Sequence, residues 1–255
     1  MSAGENLDLH GVVFPLHAFD PERAGRYLQG LNNLESRLEG RLKNLSSTHL
    51  FFDWAYELAT LPPLLDEVES VLGPNILADD TSFFCKDPGD GGFAPWHQDG
   101  TYSGWWKTPS VSAWIALAPS TRHNGCMRVI PGSHRMGRYE HHEITVRNGL
   151  FRRPEQIDVD VDDTQAIDVE LAPGEFSLHH SSIIHGSNPS FSGPRRVGFV
   201  VRFVTPAFQQ RKNPRPAVRV RGSADSGSIP LAEPPAESGE NAFHKWREMT
   251  SATLR

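Results

Sequence analysis

The chain has 255 residues, of which 38% are hydrophobic and 22% charged, and its formal net charge is −6. That length carries one sizeable core, and the acidic balance excludes a surface built mainly to neutralise nucleic-acid phosphates. The two cysteines, Cys85 and Cys126, are too few for a disulfide scaffold, and no run of ~18 apolar residues could span a membrane.

The opening MSAGENLDLHG lacks the charged-then-apolar pattern of a secretion signal, so a cytoplasmic protein is expected. The first third then reads helical. Asp20 is placed to cap a helix, with Pro21 and Glu22 in its first turn. Ala24, Tyr27, Leu28, Leu31, Leu34 and Leu38 recur at helical spacing, which predicts a helix over 21–38. A short helix is predicted over 54–59. Another is predicted over 63–72, with Leu64, Leu65, Val68, Val71 and Leu72 on one stripe and Gly73-Pro74 as its stop.

From Ile76 the pattern changes. Short β-branched or aromatic segments predict strands over 81–86, 110–118, 126–130, 166–170, 175–179, 183–185 and 196–204. Turn-rich breaks such as KDPGDGG (86–92) and GSNPSFSGP (186–194) separate them. Many short strands at such intervals predict a sandwich or barrel. The stretch 207–240, rich in Pro, Gly and Ser, reads as loop, and 240–254 as a short helix. No internal repeat is present. The expected organisation is one domain: a helical layer over 1–75, a β core over 76–206 and a loop-rich extension over 207–255.

Twelve histidines make metal-ligand spacing the first thing to test. The segment APWHQDGTYSGWW (94–106) carries His97-x-Asp99. Residues i and i+2 of a strand share a face, so one imidazole and one carboxylate would converge. That is two-thirds of a facial His-His-carboxylate site for non-haem Fe(II). By itself such a pair is far more often a surface feature. The third ligand must come from elsewhere, and 178–203 offers His179, His180 and His185, the last at a strand end before Gly186. Arg196 opens the next strand, where it could pair with a carboxylate whose other end chelates the metal. An exposed basic turn at Arg195-Arg196 is the plainer alternative.

These pieces together resemble the phytanoyl-CoA dioxygenase family of Fe(II)- and 2-oxoglutarate-dependent oxygenases. The resemblance runs through TLPPLLDEVESVLGPNI (60–76), FFCKDPGD (83–90), PWHQDGTY (95–102), SAWIALAPST (112–121), NGCMRVIPGSH (124–134), LAPGEFSLHHSSIIHGSNPS (171–190) and RRVGFVVRF (195–203). It implies a mainly β fold with flanking helices, a cupin-like double-stranded β-helix or jelly roll. It implies His97, Asp99 and His185 as iron ligands and Arg196 as partner of the distal carboxylate of 2-oxoglutarate, with Arg195 as competitor. Ser187 and Trp114 match cosubstrate-contacting positions. Lys43 matches another only across a gap, and Ser82 falls at a further pocket position with an unexpected side chain. O2 and a small organic molecule are the remaining reactants. Asp99 fills the position that halogenating relatives leave to chloride, so hydroxylation is expected. The rival readings are a cupin-type metalloenzyme without 2-oxoglutarate and a non-catalytic jelly-roll binding protein.

The other residues have plainer expectations. His179 and His180 read as support or packing, His134 as part of a turn, and His141 and His142 as solvated. Arg128 reads as structural, Phe83 and Phe84 as core, and both cysteines as buried thiols. Tyr102, Trp105 and Trp106 fit a substrate wall or a packed cover equally well. Arg147, Arg152 and Arg153 sit in an insertion over 135–165 that reads as a solvated loop or a lid.

Overall fold

The structure is a computed structural model that describes residues 1–103, 109–145, 150, 155–208, 216–225, 227, 229–236 and 239–252. Trp105, Trp106, Arg147, Arg152, Arg153 and the Tyr102 side chain lie outside the described residues.

A helix with no apolar stripe in the sequence, α1 (Ala3–His10), opens the chain, and Ser2 and Glu5 close a capping box on it. α2 (Pro21–Arg37), α3 (Asp53–Ala59) and α4 (Pro62–Leu72) fall within a residue of their expected bounds. Asp20 caps α2 by position only. Its side chain makes no capping bond and faces His17 at 3.6 Å. Ala24, Tyr27, Leu31 and Leu34 form the buried stripe of α2.

The strands are β1 (Val12–His17), β2 (Asn44–Ser46), β3 (Ile76–Lys86), β4 (Ala94–His97), β5 (Ser110–Ala116), β6 (Met127–Val129), β7 (His141–Glu143), β8 (Glu155–Ile157), β9 (Ile167–Val169), β10 (Glu175–His180), β11 (His185–Ser187), β12 (Arg196–Val204), β13 (Ala217–Arg221) and β14 (Leu231–Ala232). A short helix, α5 (Gly100–Ser103), follows β4, and α6 (Gly239–Ala252) ends the described chain. Among the described residues the large sheet runs β1-β10-β5-β12-β3-β13-β14, with β2 also on β3, and the small sheet runs β4-β11-β6-β9.

The stretch 207–240 is therefore not all loop. Residues 218–221 alternate apolar and basic side chains, and β3 begins earlier than its aromatic segment suggests, so its first residues offer β13 an edge, with Val218 opposite Ala78. Among the described residues no pairing joins the two sheets, so the jelly roll is a face-to-face sandwich without barrel closure.

Alternation along β12 sorts the two faces of the large sheet. Val197, Phe199, Val201 and Phe203 pack with Tyr27, Leu31, Leu58 and Leu64 of the helical layer. The opposite side of that sheet sends Phe84, Trp114, Ala116 and Val200 against Met127, Val129 and Val169 of the small sheet. β5 is buried at every position, Ser110 and Ser112 included. Between the sheets, next to this second core, lies the cavity that holds the polar residues described below. No described helix is long and apolar enough to cross a membrane.

Candidate metal centre and adjoining cavity

β4 ends at His97 and β11 begins at His185, and the two residues are direct cross-strand partners. Their rings stand 4.1 Å apart, centroid to centroid. Asp99 lies beyond the strand end, so strand alternation alone does not place it. The turn is set by Gly100 N–H, which donates to Ser181 O at 2.9 Å, and by Gln98. The Gln98 amide donates to Gly137 O at 3.0 Å and Ser182 O at 2.7 Å, and its carbonyl accepts from Tyr139 N–H at 3.0 Å. The Gln98 backbone N–H donates to His141 Nε2 at 3.1 Å. His141, expected in solvent, is thus half-buried and clamps the residue between the two candidate ligands.

The tautomers suit metal binding. His97 Nδ1 bonds Pro95 O at 2.8 Å and His185 Nδ1 bonds Ile183 O at 3.1 Å. A carbonyl can only accept, so each Nδ1 carries the proton and each Nε2 offers its lone pair. Asp99 Oδ1 lies 3.7 Å from His97 Nε2 and 3.8 Å from His185 Nε2. Two donors each ~2.1 Å from one ion lie within about 4.2 Å of each other, so a single ion fits both pairs. One ligand atom from each of the three buried residues falls within 4.8 Å of the others.

The far oxygen of Asp99 is held as well. Ser112 Oγ donates to Oδ2 at 2.9 Å, and His179 Nε2 stands 3.4 Å from it. Arg202 Nη2 lies 3.7 Å from Oδ1. Burial pushes this carboxyl toward its neutral form, but Arg202 and the surrounding histidines overcome it and hold the pKa well below the usual carboxylate range. Burial, then the neighbouring His97, pushes the His185 pKa well down. Both groups are thereby kept in their metal-binding forms.

Arg196 lines the same cavity, of about 50 Å³, with Trp114, Ser187 and Arg202. The residue is 2% exposed. Nη1 donates to Gly125 O, Nε has no hydrogen-bond partner, and the group sits 5.4 Å from the centroid of the Trp114 ring. Among the described residues no carboxylate lies within ion-pair range of it. Burial pulls its pKa down to about 10, so it stays charged. A buried cation without a counter-ion fits an anionic group of a ligand.

Arg195 points the other way. It forms a two-pronged pair with Glu35 of α2 at 3.0 and 2.5 Å and reaches Asp87 at 3.1 Å. Lys43 does not join the cavity either. It pairs with Asp90 at 3.3 Å on a partly exposed surface. Ser82 is buried on β3 outside the lining, and Phe84 faces the cavity instead. Arg128 pairs with Asp163 and Asp168, a structural role. Two polar residues near the cavity were absent from the sequence reading. Arg202 shares the strand and face of Arg196, a signal that alternation along β12 contains. Lys86 is the cross-strand partner of Arg196, which only pairing reveals.

A jelly roll with a buried His-Asp-His cluster between its sheets, beside a buried arginine, defines the class: a non-haem metal site of the facial type. The particular family follows from comparison, since the sequence profile of the phytanoyl-CoA dioxygenase (PhyH) family matches residues 11–198 and the chain belongs to that family. It is similar to a probable alpha-ketoglutarate-dependent hypophosphite dioxygenase of Stutzerimonas stutzeri, 29% identical over 61% of this chain and 54% of the relative. It is also similar to the peroxisomal phytanoyl-CoA dioxygenase of Homo sapiens, 32% identical over 52% of this chain and 40% of the relative. The chain thus spans about half the length of the curated relatives it matches. Among solved structures, the apo form of the non-heme monooxygenase ThoJ superposes with a TM-score of 0.85 at 28% identity, covering 100% of this chain and 95% of that one.

Proposed function

We propose that this chain is an Fe(II)- and 2-oxoglutarate-dependent dioxygenase that hydroxylates an unactivated C–H bond of a small organic molecule, releasing succinate and CO2. One observation carries the reading: the three-residue metal cluster and the buried charge of Arg196, which has no carboxylate in ion-pair range among the described residues, open on a single cavity. A 2-oxo acid with a distal carboxylate needs both at once. The family and its alpha-ketoglutarate-dependent relatives support the same chemistry.

His97, Asp99 and His185 hold the ion from one side. Arg196 receives the distal carboxylate, Trp114 lies against its guanidinium, and Ser187 adds a hydroxyl to the same end. Fe(II) and 2-oxoglutarate, when bound, supply the O2 chemistry that decarboxylates the cosubstrate and oxidises the substrate. The chain orients the reactants and keeps the cavity dry with Phe84, Met127 and Val200. Asp99 supplies the carboxylate ligand whose position halogenation would need for chloride, which favours hydroxylation.

The test is anaerobic. Addition of 2-oxoglutarate to the Fe(II)-loaded protein should produce a weak visible metal-to-ligand charge-transfer band, lost or weakened in Arg196→Ala. Iron binding without that band would remove 2-oxoglutarate from the account and favour a cupin-type enzyme with another substrate.

A further inference from the structure

Lys86 is the one buried lysine among the described residues, with a relative exposure of 0%. It ends β3, directly opposite Arg196 at the start of β12. Its Nζ has three polar neighbours: Gly125 O at 2.9 Å, Asn188 O at 2.6 Å and Ser187 Oγ at 2.8 Å. Gly125 O is also the acceptor of Arg196 Nη1. Two basic side chains therefore converge on one carbonyl, and among the described residues neither has a carboxylate within ion-pair range.

The packing leaves no slack. Gly125 has φ +74°, and a Cβ there would stand 2.7 Å from Lys86 Nζ and collide with Asn188 O. A methionine of similar length would fill this space but would leave Asn188 O without the Lys86 donor. Retaining an amine here asks for a polar reason.

The hydrogen-bond count shows what the amine does. Ser187 Oγ already accepts from Ala94 N–H at 3.1 Å. Two carbonyls and one hydroxyl match a neutral amine, which donates two N–H bonds and accepts the Ser187 O–H in its lone pair. They also match an ammonium, which donates all three and turns the Ser187 O–H free toward the cavity. The two states differ by one proton and by the direction of one hydroxyl. Burial first and Arg196 second push the Lys86 pKa down to about 5, while Cys126 and Asp90 pull it upward more weakly, so without an anion the neutral form dominates at neutral pH.

We propose that Lys86 is a positioning residue for the distal carboxylate of the cosubstrate: when that carboxylate arrives at Arg196, Lys86 takes up a proton from solvent and hands the Ser187 hydroxyl to it. The step moves one proton from solution to Nζ. The Ser187 O–H···Nζ bond is replaced by Nζ–H···Oγ, and Ser187 O–H donates to the carboxylate. The incoming negative charge offsets the repulsion from Arg196 that, after burial, keeps the amine neutral. This inference rests on the 2-oxoglutarate reading above, and the experiment separates the two.

Calorimetric titration of 2-oxoglutarate into the Mn(II)-loaded protein near neutral pH, in two buffers of different ionisation enthalpy, reads both affinity and proton uptake. The native protein should take up close to one proton per cosubstrate bound. Lys86→Met should take up none and bind 2-oxoglutarate about tenfold or more weakly, the scale of a hydrogen bond to a charged group. Pyruvate, a 2-oxo acid without the distal carboxylate, should bind both proteins alike and without proton uptake, which a merely structural role would not produce. Lys86→Arg, permanently charged, should bind 2-oxoglutarate without proton uptake and covers the case in which Lys86→Met does not fold. Native binding without proton uptake, or equal weakening for pyruvate, would overturn the role of Lys86 and leave the cosubstrate reading intact. Absence of 2-oxoglutarate binding to the native protein would overturn both.

Discussion

Trp114 packs against the bare backbone of Gly198: a methyl group on that residue would overlap the six-membered ring of the indole. Gly198 on β12 lies diagonally across from Trp114 on β5, whose direct partner is Val200, and Gly198 lies on the same face as Arg196. The missing side chain is what lets the indole lie within 5.4 Å of the guanidinium. Gly198→Ala should therefore displace Trp114. Overpacking of this kind costs about 1–3 kcal/mol. A lowered Tm together with a raised KM for 2-oxoglutarate is the expected pair of results, and a native KM would show that Trp114 does not matter to the cosubstrate.

Metal loading should depend on the three clustered residues and on the turn that holds them. His97→Ala and His185→Ala should lose stoichiometric Fe(II), measured by metal analysis after anaerobic desalting. His141→Ala removes the acceptor for Gln98 N–H without touching a ligand. Supporting contacts of this kind are worth about 10- to 100-fold in metal affinity, so it should weaken iron binding and leave the fold in place. Full activity in either ligand variant would refute the assignment of the cluster.

The neighbours Arg195 and Arg196 should separate stability from cosubstrate binding. Arg195→Ala leaves Glu35, with a side chain only 7% exposed, short of its two-pronged partner. Breaking a buried pair costs about 3 kcal/mol, visible as a fall in Tm with an unchanged KM for 2-oxoglutarate. Arg196→Ala should do the reverse, raising that KM steeply with a smaller change in Tm. Identical behaviour of the two variants would contradict the opposite orientation of their side chains.

Acid should weaken the fold through His49. This residue is buried against Thr81, with Nδ1 at 2.9 Å from its hydroxyl, and burial pushes its pKa down to about 4. The unfolded chain takes up a proton near pH 6.5 and the folded one does not until about pH 4. Stability is therefore full above pH 6.5 and falls as the pH drops toward 4. At pH 5 this single group accounts for about 2 kcal/mol. Chemical denaturation at pH 7 and pH 5 should show a smaller difference in His49→Gln than in the native protein.

Much of the architecture is legible in the residues alone. The stripe of Tyr27, Leu31 and Leu34 marks α2, and the β-branched and aromatic residues between Arg196 and Val204 mark β12. Such signals survive because they are local: helix and strand periods are written into consecutive residues. β13 escapes that reading. Its short segment lies among prolines and glycines, and it becomes a strand only because β3 offers it an edge. α1 escapes it too, since only Ala3 and Leu7 of that helix are buried and no stripe stands out.

The sequence by itself paired His97 with Asp99 through residue type and short spacing, and it was the resemblance to the family, not spacing, that singled out His185 from His179 and His180. It left Arg195 and Arg196 as competitors for one role. Only the tertiary structure decided which of them meets the cavity, because that depends on which face of β12 the helices cover. It alone turned Lys43 outward to Asp90 and set Lys86 opposite Arg196. Those placements follow from strand pairing between segments far apart in the chain, and no local period encodes such a register.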